Sequence, residues 1–109
     1  MAGTIDVLAE GQGYLIGRYT GTGAAININL GFVPVALRGI NITDGDAGYT
    51  WMYGMDAGSC ITEGAEMAYE TTTAVTTLDG SAGNGIGVSL GANSIINETD
   101  KVYLIKFER

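Results

Sequence analysis

In the segment Ala25-Ile26-Asn27-Ile28-Asn29-Leu30, the apolar residues Ile26, Ile28 and Leu30 alternate with the polar Asn27 and Asn29. Successive side chains of an extended strand point to opposite faces, so a period of two builds one apolar and one polar face. A helix would scatter the same residues around its circumference. Working outward, residues 14–19, 35–42, 49–53, 71–78, 85–90 and 101–107 read as further short strands. Gly21-Thr22-Gly23, Asp44-Gly45-Asp46 and Asp79-Gly80 supply turns between them. Pro34 lacks an N–H donor and disfavours helix at Val33, so Gly31-Phe32-Val33-Pro34 reads as a bend. Residues 55–70 are acidic and glycine-punctuated and read as loop with at most one irregular strand. Residues 1–12, with Ile5, Val7 and Leu8, read as an extended N-terminal arm, and residues 13–109 as a single domain. Seven or eight short strands cannot bury an apolar face as one open layer, so the expected fold is an all-β sandwich, jelly-roll-like, carrying that arm.

A chain of 109 residues has room for one core, and its 46% hydrophobic content is enough to fold it. Charged residues make up only 16%, well below the roughly 25% of an average domain. Scarce charge implies apolar surface for a partner to cover. Twelve acids against five bases give a net charge of −7, which repels phosphate backbones and anionic lipid heads, so neither nucleic acid nor membrane is an expected partner. Cys60 is the only cysteine and histidine is absent, which excludes an intrachain disulfide and the usual zinc frameworks. The sequence has no apolar run of membrane-helix length, and Met-Ala-Gly-Thr-Ile-Asp does not open like a secretory signal, so maturation is expected where the chain is made.

Nothing in the sequence marks a nucleophile with its base, so neither catalysis nor a cofactor is expected. Cys60, in Gly58-Ser59-Cys60-Ile61, reads as a small buried apolar residue rather than a nucleophile. Asp44-Gly45-Asp46 starts like a calcium loop, but Tyr49 stands where that loop needs glycine and Met55 where it needs a bidentate acid. No metal site is therefore assigned. Gly83-Asn84-Gly85-Ile86-Gly87 lacks the lysine and the following helix of a phosphate loop. Asn41-Ile42-Thr43 and Asn97-Glu98-Thr99 match the glycosylation pattern, as chance allows. The informative cluster is aromatic and thioether-rich: Tyr49, Trp51, Met52, Tyr53 and Met55. Alternation puts Tyr49, Trp51 and Tyr53 on one face and Thr50 and Met52 on the other. The cluster is thus a candidate subunit interface backed by core, or a surface for stacking on sugars.

Three stretches carry a resemblance: Tyr19-Thr20-Gly21-Thr22-Gly23, then Ile26-Asn27-Ile28-Asn29-Leu30-Gly31-Phe32-Val33-Pro34, and Lys101-Val102-Tyr103-Leu104-Ile105-Lys106-Phe107. With this Thr-Gly turn, Leu-Gly-Phe-x-Pro bend and closing aromatic strand, the chain resembles small β-sandwich virion proteins of tailed bacteriophages. The resemblance implies a capsid decoration, or cement, protein: a homotrimer on the virion surface, assembled in the bacterial host cytoplasm, that bridges subunits of the major capsid protein. The arm, through Ile5, Val7 and Leu8, is expected to dock on the shell by adding a strand to an open sheet edge. The same resemblance also extends to tail-fibre modules that bind receptors or glycans, with Tyr49, Trp51 and Tyr53 as the stacking rings.

Overall fold

A computed structural model describes residues 5–64, 66–81, 83 and 85–109. Among them are nine strands and no helix: β1 (Ile5–Glu10), β2 (Tyr14–Thr20), β3 (Ile26–Asn29), β4 (Ala36–Asn41), β5 (Gly48–Met52), β6 (Ser59–Glu63), β7 (Met67–Asp79), β8 (Ile86–Leu90) and β9 (Val102–Glu108). All neighbours are antiparallel, in the order β1-β2-β9-β4-β5-β6-β7-β8-β3. Strands β4 to β8 form a meander. At its two ends β9 returns to lie between β2 and β4, and β3 crosses to lie outside β8. These long returns give a Greek-key character to the sandwich, whose layers are parts of one sheet curled over a shared core.

The alternation read from sequence is the alternation of burial. Leu15 and Tyr19 of β2, Leu37 of β4, Tyr49 and Trp51 of β5, Val88 and Leu90 of β8, and Tyr103, Ile105 and Phe107 of β9 all point inward and are buried. Ile26 and Ile28 of β3 join them, as their period of two requires. With one face of each strand apolar, a flat sheet would leave that face wet, and curling removes it from water. Gly39 marks a close approach inside this core. A Cβ there would collide with the ring of Tyr49 opposite it on β5, so only glycine lets that ring lie flat against β4.

Two expectations are corrected. The segment read as an N-terminal arm is, over its described part, the edge strand β1, paired with β2 from Ile5 opposite Tyr19 to Glu10 opposite Leu15. The cause is a slot: Ile5 fills the space that a side chain at residue 17 would occupy above Gly17, and it packs against the core. Residues 1–4, the rest of the arm, lie outside the described residues. The stretch read as loop, 55–70, contains β6 and the start of β7. β7 is also longer than expected at 13 residues. It changes register between two partners: Cys60 faces Glu70 while the adjacent Ser59 faces Val75, so residues 71–74 bulge out, with Thr73 at φ 53°.

Candidate functional site

The outward face of β2, β9 and β4 is assembled row by row from strand register. Ile16 stands opposite Lys106 and Lys106 opposite Arg38; one step along, Arg18 faces Leu104, which faces Ile40. Ile16, Ile40 and Leu104 line a shallow groove of about 180 Å³, with Arg38 and Lys106 at its rim. Ile40 is 41% exposed although it sits in the middle of the sheet. Arg18, Arg38 and Lys106 all project from this face, so it carries three of the chain's five bases. The other two are engaged elsewhere. Lys101 pairs with Asp44 at 3.2 Å, and Arg109 lies 4.4 Å from the centre of the Phe32 ring. Acids share this face with the bases: Glu63 pairs with Arg38, Asp6 stands opposite Arg18, and Glu108 lies on the same outward parity of β9 as Lys106.

Farther around the sheet, Ile61 faces Tyr69 and Glu63 faces Met67 across β6 and β7. Met67 is 71% exposed and Tyr69 53%, and Glu66 is exposed beside them, making an apolar, acidic ridge. Glu63 reaches back to Arg38 at 3.5 Å. A third exposed apolar place is the β1 edge, where Val7 and Leu8 are about half exposed.

The aromatic stretch is divided by the structure. Tyr49 and Trp51 are buried at 0% and 2% exposure, whereas Met52 and Tyr53 are exposed and Met55 packs against the core from the side. Tyr53 lies past the end of β5, so alternation no longer governs it. Neither Tyr49 nor Trp51 can stack on a sugar. The sugar-stacking surface therefore reduces to Tyr53 alone, and the candidate interface to Met52 and Tyr53. Tyr49 instead belongs to a buried phenol network. The Tyr19 hydroxyl donates to the carbonyl of Ile96 at 2.7 Å, and the Tyr49 hydroxyl meets it at 2.5 Å and donates in turn. Tyr103 stacks on Tyr19 with centroids 4.9 Å apart. Burial pushes the pKa values of Tyr19, Tyr49 and Tyr103 up from the phenol's usual range.

The remaining candidates are occupied by structural work. Burial, with the Glu70 charge adding to it, pushes the Cys60 thiol up to about 12, the opposite of what a nucleophile needs. Asp44 accepts from Asn41 Nδ2 and Lys101 Nζ. No group of three potential metal ligands gathers among the described residues. Asn41 and Asn97, the two glycosylation matches, are 4% and 0% exposed, and both use their amide groups inside the fold.

Sequence reasoning missed the groove, although a signal for it is present. In β9 both parities are apolar, Val102 and Leu104 outward and Tyr103, Ile105 and Phe107 inward. A strand apolar on both faces is one expected to be covered on both. No protein-family model, no curated protein and no solved structure matches this chain.

Proposed function

We propose that this chain is a non-enzymatic structural protein of a tailed-phage virion, a decoration protein that self-associates and clamps neighbouring subunits of the major capsid protein. The reading starts from the resemblance of its turn, bend and closing strand to such proteins. The observation that carries it is the open β1 edge with Val7 and Leu8 about half exposed. An edge strand offers a row of free backbone N–H and C=O groups to an incoming strand, and native proteins ordinarily blunt such edges. Asp6 and Glu10 are the only charges within β1 that guard this one. Ile5 is given a different role from the one expected of it: it anchors β1 to the body, while Val7 and Leu8 face outward to the shell.

The test is co-sedimentation of the purified chain with empty phage shells, followed by electron microscopy of the decorated particles. Wild-type protein is expected to bind at regular lattice positions. The double variant Val7→Lys, Leu8→Lys should lose binding at a cost of only a few degrees in melting temperature, because both side chains are already about half exposed and a lysine stem can replace part of their contact. Failure of the wild type to bind any shell would overturn the decoration role. Full binding by the double variant would remove β1 from the docking surface.

A further inference from the structure

We infer that β6 and the first half of β7 form a flap that opens from the folded body as a unit of its own, hinged between Ser59 and the bulge at residues 71–74. The inference does not depend on the decoration role.

Strand register draws the hinge. The first half of β7, from Met67 to Glu70, pairs with β6, and the second half, from Val75 to Asp79, pairs with β8. Residues 71–74 stand in neither ladder. On the other leg of the hairpin, the ladder from β5 to β6 runs only from Gly48–Glu63 to Thr50–Ile61, so Ser59 and Cys60 lie beyond its end. Just below this level the chain is fixed to the body. Gly58 N donates to Val75 O at 2.8 Å, Ala74 N to Gly58 O at 3.1 Å and Gly91 N to Ala74 O at 2.7 Å, and Ala74 and Val75 are buried. Both legs thus lose lateral partners at the same height, where a few residues can absorb the change in backbone angles that a hinge requires.

Two features at that height favour opening. Thr73 holds φ 53°, a left-handed conformation in which a β-branched side chain crowds its own backbone, and an opened bulge lets it relax. Ser59 is fully buried and its Oγ has no hydrogen-bond partner among the described residues, so opening lets water satisfy it. The flap is also lightly held. No side chain from Met67 to Thr73 is buried, and β6 buries only Cys60 and Thr62 beyond the hinge. Its side-chain ties to the body are Asn93 Nδ2 donating to Glu70 at 3.1 Å, and the Glu63 carboxylate near the Thr50 hydroxyl at 3.4 Å and the Arg38 guanidinium at 3.5 Å. A short ladder with few buried contacts marks a segment that opens without global unfolding. Tyr19, Leu37, Tyr103, Ile105 and Phe107, which seal the core, lie on β2, β4 and β9, outside the flap.

Cys60 is the only cysteine, and it is fully buried while the flap is closed, so its labelling by Ellman's reagent reports each opening. The thiolate displaces one thionitrobenzoate, whose colour is read. In water the full chain should label at least about a hundredfold faster than its globally unfolded fraction allows. Urea should accelerate labelling only weakly, because the flap exposes little surface. Two variants, with folding checked by circular dichroism, locate the motion. Thr73→Asn, which tolerates left-handed φ, should slow labelling about fivefold. Ile105→Val should lower the global urea midpoint and leave the labelling rate in water unchanged. Labelling that follows global unfolding in both size and urea slope would overturn the inference, as would acceleration by Ile105→Val in step with its loss of stability. An unchanged rate in Thr73→Asn would remove the bulge from the hinge and end the inference as well.

Discussion

Asn97 ties its own loop to the two segments that flank the paired ends of β3 and β8. Its Oδ1 accepts from Thr22 N at 2.8 Å, and its Nδ2 donates to Ala24 O at 2.6 Å and to Gly91 O at 3.0 Å. The residue is fully buried, so each of these groups would be left unpaired in a truncation. An unsatisfied buried polar group costs about 1–3 kcal/mol, so Asn97→Ala should lose on the order of 3 kcal/mol or more, read as a lower urea midpoint with unchanged slope. Asn97→Asp should be at least as damaging, since it aims a second acceptor at the carbonyls of Ala24 and Gly91. Equal stability of the Asp variant and the wild type would show that the two donated bonds contribute nothing. This pin could not have been read from sequence. Asn97-Glu98-Thr99 presents only a modification pattern, and what distinguishes a tethered asparagine from a solvated one is the convergence of distant carbonyls. Tyr49 and Trp51 were legible as one face, because two residues on one parity inside a strand must share their surroundings. Tyr53 was not, because its strand ends at Met52.

β1 is the element in which structure and sequence differ most. An arm held only by contact with a partner could be removed without harm to the body. A paired edge strand cannot, because its loss breaks the ladder to β2 and uncovers the slot above Gly17 that Ile5 fills. Half-burying one isoleucine is worth about 1 kcal/mol, before any ladder hydrogen bonds are counted. Deleting residues 2–10 should therefore lower Tm, at about 4 °C per kcal/mol for a domain of this size, and should expose β2 as a new apolar edge prone to aggregate. Scanning calorimetry checks the first effect and light scattering the second. A truncated chain that melts with the intact one would mean that β1 is docked without contributing stability. β3, with its clean alternation, was legible because period two survives any tertiary context that buries one face, and β9 was legible as a short apolar run rich in β-branched and aromatic residues. β6 was hidden by Thr62 and Glu63, polar residues on both parities, and the start of β7 by its exposure on both sides. The bulge at residues 71–74 was hidden as well, since a threonine-rich strand gives no hint of where its register will break.

At the scale of the whole molecule, burying three phenols and a thiol in one core ties stability to alkaline pH. Burial raises Tyr19, Tyr49 and Tyr103 above the free phenol's 10.0 and Cys60 from 9.0 to about 12. The folded chain thus keeps protons that the unfolded chain releases at ordinary values. Wherever the unfolded state binds fewer protons, stability falls as pH rises. Well below pH 9 both states hold these protons and the groups give no slope. Above it the unfolded thiol ionises first, and from about pH 10 the unfolded phenols follow, each adding about 1.4 kcal/mol of lost stability per pH unit. Urea midpoints measured at pH 7, 9, 10 and 11 should therefore hold up to 9 and then drop with increasing steepness. Tyr19→Phe separates the causes: it should be less stable at pH 7, because the Ile96 carbonyl and the Tyr49 hydroxyl lose their partner, yet it should fall less steeply above pH 10 with one phenol fewer to ionise. A midpoint that stays level to pH 11 would mean that water reaches these hydroxyls, and that the curled sheet does not seal the core its alternating strands enclose.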